Sequence, residues 1–488
     1  MPGTPELTVI VLAAGGGTRM KSKTMKVLHP LAGRSMIGHV LAAARALEPT
    51  RIVAVVGHQR EQVSEHIAQI DPGVVLAVQE TQEGTGHAVK VAVEALGKID
   101  GTVLVITGDT PLLEAQTLKD FADQHARSAQ VVSILSGIVG DPTNYGRIIR
   151  EHGHVMAIVE QKECDAEQVL VNEINSGILA FEAQFLTEAL TKLEPHAHKA
   201  EYYLTDTVSI AKQAGLEVGA MPIDDWKQTE GVNDRAQLAS LAQEKNARIL
   251  KQWMAQGVTI IDPATTWIDV EVTLAPDATV LPGVQLLGTT TVAEDAVVGP
   301  DSTLKDCEVG AGARVVRTHA ELAVIGEGAT VGPFSYLRPG TVLGADGKIG
   351  AFVETKNATI GNGSKVPHLS YVGDAVIGEM TNIGAGTIFA NYDGVNKHSS
   401  RIGSHVRTGS DNVFVAPVSI GDGAVTGAGS IIRRDVPAGA LAVSGGQQRH
   451  IEGWIFRKRP DSSAAQAAQS ALDADPGVGP GAVDKTES

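Results

Sequence analysis

Apolar and polar positions divide the chain into two stretches with different rhythms. From Thr8 to about Asp225, short Val- and Ile-rich runs alternate with stretches whose apolar residues recur at helical spacing. Thr8–Ala13, Arg51–Val56, Val74–Val78 and Thr102–Thr107 predict buried strands, and Ser35–Leu47, Gln59–Gln69, Thr85–Leu96 and Glu114–Arg127 predict helices. Such alternation implies a mostly parallel sheet with helices on both faces. Ligands of these sheets bind beyond the carboxyl ends of the strands, so Ala14–Met20, Gln79–His87 and Gly108–Leu113 become the segments of interest. Asn233 is placed as an N-cap before a helical run through Leu238, Leu241, Ile249 and Trp253, with Gly257 as its terminator.

Beyond that helix an aliphatic residue falls on every sixth position: Ile268, Leu274, Val280, Leu286, Val292, Val298 and Leu304. After register slips the beat resumes at Val309 and Val315, then runs from Ile325 to Ile349, Ile360 to Val372, Ile377 to Phe389 and Ile402 to Ile420. Six residues fit neither a strand's alternation nor a helix. The period predicts a parallel β-helix in which each hexapeptide forms one flat side and its aliphatic residue points inward. Glycines beside the beat, Gly326, Gly378, Gly384, Gly403 and Gly421, are expected to turn the corners. Phe389–Ser400 interrupts the rhythm and reads as a loop ejected from the coil. The predicted divisions are 1–235, a linking helix at 236–256, a β-helix at 257–460 and a disordered tail at 461–488.

Composition narrows the function. Gly is abundant (54 residues) and aromatics are 4%, which suits tight turns and small aliphatic interiors. A formal charge of −16 argues against a bulk nucleic-acid binder. Cys164 and Cys307 lie far apart, so neither a disulfide framework nor a zinc cluster is expected, and a reducing, cytoplasmic setting fits. The first apolar run lacks a basic flank and ends in glycines, and no stretch reaches the ~18 apolar residues of a membrane span. A soluble enzyme without membrane insertion is the expectation.

Gly15-Gly16-Gly17-Thr18-Arg19 follows the first predicted strand, where backbone N–H groups can approach an anion; a tight connection is the alternative. Met20 excludes a dinucleotide fingerprint, and no Gly-Lys marks a Walker loop. Leu12–Met20 followed by Lys26-Val27-Leu28-His29 resembles the opening of sugar-1-phosphate nucleotidyltransferases. The resemblance implies that Leu12, Ala13, Ala14 and Gly15 meet uracil and ribose, and that Arg19 and Lys26 hold phosphates. Gly16 and Met25 depart from the pattern, standing where Lys and Pro are common. Gln79, Gly84 and Thr85 resemble the uracil-reading residues, although Thr85 also suits a helix cap. Gly108 and Asp109 end a strand. Asp109 is either a turn cap or, as the resemblance implies, an Mg²⁺ ligand with Asn233. Gly146, Glu160 and Asn175 match sugar-binding positions. The implied reaction is attack of a sugar 1-phosphate on the α-phosphorus of UTP.

Hexapeptide β-helices resemble trimeric acyltransferases. The order of Arg338-Pro339-Gly340, Glu354-Thr355-Lys356, His368–Asp374, Asn382–Gly386 and Asn391–Gly394 is similar to one family of bifunctional N-acetylglucosamine-1-phosphate uridyltransferase and glucosamine-1-phosphate acetyltransferase enzymes. The likeness covers about residues 8–455 and implies a left-handed coil, a homotrimer, and synthesis of a cell-wall precursor. Its small-molecule partners would be glucosamine 1-phosphate, N-acetylglucosamine 1-phosphate, UTP and acetyl-CoA. His368 is the only neutral-pH base in its motif and becomes the general base; a structural histidine is the alternative. Glu354 is expected to support His368 or the amine. Arg338 and Lys356 suit the acceptor's phosphate, or are solvated surface cations. Tyr371 and Asn382 resemble acceptor-binding residues. Ala385, Asn391, Tyr392, Ser410 and Ala428 resemble acetyl-CoA contacts, with Asn391 and Tyr392 reaching a neighbouring subunit. Gly445 replaces an Arg found in some relatives, which leaves Arg449 or Arg457 for the nucleotide end of CoA. Two other readings stay open: a nucleotidyltransferase with a structural or regulatory β-helix, and a non-enzymatic scaffold.

Overall fold

The computed structural model describes residues 6–57, 60–196, 201–446 and 448–474. The first stretch folds as an α/β layer structure. Its central sheet runs in the order Glu217–Ile223, Gln130–Ile138, Glu173–Glu182, Thr102–Thr107, Leu7–Leu12, Arg51–Val56 and Val75–Val78. Neighbours are parallel except at Glu173–Glu182, which runs antiparallel to both of its own. The expected mostly parallel sheet is thus mixed. Alternation along each strand splits the core between two faces. Ile10, Val53 and Val105 pack with Val89 and Ala92 of the helix Thr85–Leu96 on one side. Val9, Val11 and Ile106 pack with Val40 and Leu41 of Met36–Arg45 and with Phe121 of Ala115–Arg127 on the other.

The second stretch is a three-sided, left-handed parallel β-helix. Strand dipeptides such as Thr279-Val280 and Thr291-Val292 present the first residue outward and bury the second. Every inward residue named from the six-residue beat is buried, from Ile268 to Ile420, in one continuous core. The register slips are shortened coils: Leu286 pairs with Leu304, whereas Leu304 pairs with Ala320. The glycines beside the beat serve a different purpose from the one expected. Left-handed corner residues come two positions later, at Gly328, Met380, His405 and Gly423. Gly326 and Gly378 are needed for close coil stacking, since a Cβ there would lie 2.7 Å from Ala345 N and 2.6 Å from Ser404 N.

Three boundaries shift. The helix N-cap is Asp234, whose carboxylate accepts from Ala236 N and Gln237 N at 2.9 Å, and not Asn233; the helix spans Arg235–Ala255. Its end is a Schellman motif with Gly257 at φ +93°, Val258 N donating to Trp253 O and Gly257 N to Met254 O. The ejected loop is narrower than Phe389–Ser400. Phe389 stacks on Phe414 inside the coil, Ser400 begins the next strand, and both are buried. Of the tail expected to be disordered, Ser463–Ala474 forms a helix, because its alanine-rich sequence has high intrinsic propensity. Residues 475–488 lie outside the described residues.

The linking helix is packed at both ends. Leu241 joins Met20, Leu31, Met36, Leu112 and Val232 in an apolar cluster, and Ile249 and Leu250 enter the β-helix core. Asn246 closes the junction, donating to Thr266 O (2.7 Å) and accepting from Ile268 N (3.1 Å). No helix among the described residues is long and apolar enough to cross a membrane.

Candidate active sites

Two confluent clefts open at the carboxyl end of the α/β sheet. The smaller, about 360 Å³, is lined by Leu12, Ala13, Ala14, Gly15, Lys26, Gln79, Gly84, Thr85 and Asp109. The larger, about 940 Å³, includes Glu160 and Asn175, and Leu12, Thr85 and Thr107 border both. Most residues predicted for the nucleotide therefore line the smaller lobe, and Glu160 and Asn175, predicted for the sugar, line the larger; Gly108 and Asn233 line neither. The glycine loop has local reasons for its composition. Gly17 sits at φ +58°, and a Cβ there would meet Lys26 Cβ at 2.6 Å. A Cβ on Gly15 would meet nothing within 4 Å, so that side of its backbone faces open space. Lys26 Nζ donates to Asp109 Oδ2 at 2.5 Å, with the two side chains only 14% and 19% exposed. Met25, where a proline is common, has φ −58° and ψ 143°, so it reproduces a proline's backbone and delivers Lys26 to the cleft. Gly16 leaves that position without a cation.

Gly108 N donates to Leu12 O at 2.9 Å, which sets the ends of two parallel strands side by side beneath the cleft. Val232 N donates to Asp109 O, and Arg19 Nη2 donates to Asn233 Oδ1 at 2.7 Å. Arg19, Lys26, Asp109 and Asn233 thus form one chain of contacts. Asp109 does not cap a helix, and the N-cap of Ala115–Arg127 is Glu114. Nor is Thr85 a cap: Gly84 holds that position, while Thr85 Oγ1 accepts from Leu204 N at 3.1 Å. Gln79 is buried and donates to Gly84 O at 3.1 Å. In the larger lobe Gly146 approaches Glu160 and Asn175, and Asn175 N donates to Gly146 O at 2.8 Å. Burial, then the neighbouring Glu163 and Asp206, pushes the Glu160 carboxyl above its usual range.

Sequence reading missed Glu201 and Tyr203, which border both lobes, and His196, which borders the larger. They arrive by tertiary docking: Tyr202 N donates to Glu83 O, and Gly86 N to Tyr202 O. In a chain this poor in aromatics, the adjacent Tyr202-Tyr203 was the available signal.

The β-helix gathers a second set of residues. His368, Ala385, Ser410 and Ala428 occupy the same place in successive coils: Gly386 N donates to His368 O, Asp411 N to Ala385 O and Gly429 N to Ser410 O. A file of small side chains therefore starts at the histidine and runs along the coil. The imidazole of His368 is exposed and has no hydrogen-bond partner among the described residues. Glu354 does not orient it; its carboxylate pairs with Arg338 Nη1 at 3.0 Å, because the two stand in adjacent coils. Lys356, Tyr371 and Asp374 lie on paired strands. Asn391 stands beside them: its Nδ2 donates to Asp374 Oδ2 (2.5 Å) and lies 3.4 Å from Tyr371 Oη. Asn382 is flanked by Lys365 and Arg407 in the neighbouring coils. Lys397, missed in the sequence, sits beside Lys356. The neighbouring Lys356 holds its ammonium below the usual lysine range, against the raising influence of Asp374 and Tyr371. Tyr392, Gly445, Arg449 and Arg457 are all solvent-facing or only partly covered.

One corner of the coil carries Phe334, Phe352 and Leu369, which are 53%, 59% and 62% exposed, with the two phenyl rings stacked at 5.3 Å. All three take positive φ values, which bulky side chains rarely adopt.

Comparison with known proteins gives two findings. Residues 9–165 match the MobA-like NTP transferase domain family. Over 98% of its length the chain is 58% identical to 97% of the "Bifunctional protein GlmU" of Kineococcus radiotolerans. Its counterpart in Streptomyces avermitilis is also 58% identical (95% of this chain, 97% of the relative), and that in Rhodococcus jostii 55% (96% and 95%).

Proposed function

Because the chain belongs to the family of bifunctional GlmU proteins, we propose that its two residue clusters are the two active sites of one UDP-N-acetylglucosamine synthase, a transferase serving cell-wall precursor synthesis. A β-helix that only assembles or regulates is not favoured, since relatives alike over nearly the full chain are bifunctional by name. The divisions proposed are uridyl transfer by 1–235 and acetyl transfer by 257–460, joined by 236–256.

Acetyl transfer comes first. Arg338, Lys356 and Tyr371 seat the phosphate and sugar of glucosamine 1-phosphate, with Asn382 nearby. The amine attacks the thioester carbonyl of acetyl-CoA, His368 takes the ammonium proton as the C–N bond forms, and the CoA thiolate leaves. The pantetheine arm lies along Ala385, Ser410 and Ala428, with Tyr392 on the loop and Arg449 or Arg457 toward the nucleotide. The observation that carries this reading is the file of small residues that begins at His368. Glu354 supports the site through Arg338 and not through the base.

Uridyl transfer follows. Leu12, Ala13, Ala14, Gly15, Gln79, Gly84 and Thr85 seat uracil and ribose, Gly108 the strand end beneath them, and Gly146, Glu160 and Asn175 the sugar. The sugar phosphate oxygen attacks the α-phosphorus of UTP and pyrophosphate leaves. Lys26 and Arg19 neutralise the charge that gathers on the phosphoryl oxygens, so positioning and electrostatics supply the catalysis.

Asp109 and Asn233 offer only hard oxygen donors and sit on segments bonded to each other, which fits Mg²⁺ held with substrate phosphates. Among the described residues there is no His, Cys, Asp and Glu group able to hold a metal alone, in keeping with an ion shared with the substrate. When bound, Mg²⁺ would supply charge neutralisation at the phosphates. Chelation with EDTA is therefore expected to lower pyrophosphate release from UTP at least about tenfold while thioester-dependent CoA release continues. Equal sensitivity of both reactions would refute the assignment of the metal to the first cleft.

The Phe334–Phe352–Leu369 corner, whose Leu369 follows His368 in sequence, supports a homotrimer in which neighbouring coils enclose the thioester. A cytoplasmic location agrees with two free cysteines.

A further inference from the structure

We propose that Arg147 and Gln161 are positioning residues for uridyl transfer: their side-chain bond sets the spacing between Gly146 and Glu160, the contacts proposed for the acceptor sugar. The inference rests on the sugar lobe described above and adds to it a buried cation that the reaction itself does not use.

Arg147 is 1% exposed and stands among the largest fully buried side chains of the protein. Its Nη1 donates to Tyr145 O and its Nη2 to Gln161 Oε1 at 2.7 Å, while Nε has no hydrogen-bond partner among the described residues. Both acceptors are uncharged. A buried guanidinium that leans on no anion is costly, and an apolar side chain of similar volume would fill the space at least as well. Packing alone does not explain an arginine here.

The sequence neighbours of the pair supply the reason. Arg147 opens the strand Arg147–Glu151, which runs antiparallel to His154–Val159 with Arg147 opposite Val159. Gly146 precedes Arg147, and Glu160 precedes Gln161. The Arg147–Gln161 bond therefore spans the open end of the hairpin, next to both residues proposed to meet the sugar. Gln161 Oε1 also accepts from Asn144 N at 3.2 Å, and Asn144 takes a φ of +71°. One amide oxygen thus holds both the guanidinium and the turn that leads into Gly146. On the other side Asn175 N donates to Gly146 O at 2.8 Å, and a Cβ on Gly146 would stand 3.4 Å from Glu160 Oε1. With contacts this close, slack in the turn changes the fit of the sugar. The nucleotide is spared, because Lys26, Gln79 and Gly84 line the smaller lobe, whereas Asn144, Glu160 and Gln161 line the larger.

The test compares full-length Arg147→Lys, Gln161→Ala, the double variant and Glu160→Gln. Lysine keeps the charge and loses the planar fork that serves Tyr145 O and Gln161 Oε1 together. Arg147→Lys is expected to raise KM for N-acetylglucosamine 1-phosphate about tenfold or more, as when a hydrogen bond to a charged group is lost. KM for UTP and the rate of acetyl transfer should stay unchanged. Gln161→Ala should raise the same KM by a similar factor, and the double variant should be no worse than the worse single, because both act through one bond. Effects that multiply in the double variant would overturn the proposal, as would an unchanged acceptor KM in either single variant or an equal rise in KM for both substrates. Should Arg147→Lys fail to fold, Gln161→Ala, at a half-buried position, decides the question by the same split between substrates. If Glu160→Gln also leaves the acceptor KM unchanged, the sugar lobe itself is wrongly placed; if Glu160→Gln raises it and neither single variant does, only the positioning role fails.

Discussion

Replacing His368 by alanine lowers thioester-dependent acetyl transfer by about 10²–10⁴-fold, the range of a lost general base, and leaves pyrophosphate release from UTP intact. The size follows from position. His368 heads the file formed with Ala385, Ser410 and Ala428, so an arm lying along that file brings its thioester to the imidazole. Among the residues predicted for this site His368 is the only imidazole, and the Glu354 carboxylate is engaged by Arg338. The imidazole is exposed and unpaired among the described residues, so its removal opens no cavity and orphans no buried partner. Folding should survive. An activity loss without a shift in melting temperature is the expected signature, and full acetyl transfer in the variant would remove His368 from the mechanism.

The second large effect belongs to Asp109. Asp109→Asn keeps the shape of the side chain but removes its charge, and uridyl transfer is expected to fall by about 10²–10³-fold, as when a group that stabilises transition-state charge is lost. Two changes act together. Lys26 loses the negative charge opposite it in a site where both side chains are largely covered, so the ammonium is held less firmly at the cleft. The donor pair with Asn233 also loses its only anion, so the Mg²⁺ concentration needed for half-maximal rate should rise. Acetyl transfer should be unaffected, because Asp109 belongs to the first domain. If Asp109→Asn retains pyrophosphate release at unchanged Mg²⁺ dependence, neither the ion pair nor the donor pair carries the reaction.

What the sequence disclosed depended on how local the cause was. The strands Arg51–Val56 and Thr102–Thr107 were legible to the residue, because uninterrupted Val and Ile runs have few other uses. The β-helix was legible because each inward residue answers to its own hexapeptide, from Ile268 to Ile420. Lys26, Asp109, Glu160 and Asn175 came from motif resemblance, and the cleft brings them together. Where causes were tertiary, sequence reading fell short. Asn233 and Asp234 can both cap a helix, and Asn233 was free to face Arg19 only because its neighbour does the capping. Glu201 and Tyr203 depend on a segment docking onto residues 83–86, and Lys397 lies on a loop closed by its bridge to Tyr392. The pairing of Glu354 with Arg338 was not foreseen, because coil stacking, not chain order, decides which outward side chains meet. The helix Ser463–Ala474 was passed over because the tail, rich in Ala, Asp, Gly, Ser and Pro, shows no hydrophobic periodicity.

On the proposed reading, one chain holds two separate active sites linked by a diffusible product. The most direct measurement mixes purified Asp109→Asn and His368→Ala proteins with glucosamine 1-phosphate, acetyl-CoA, UTP and Mg²⁺, and follows UDP-N-acetylglucosamine. Alone, the first variant should accumulate N-acetylglucosamine 1-phosphate and the second should produce neither compound; mixed, they should form the nucleotide sugar. A mixture that stays inactive, or either substitution abolishing both half-reactions, would contradict it.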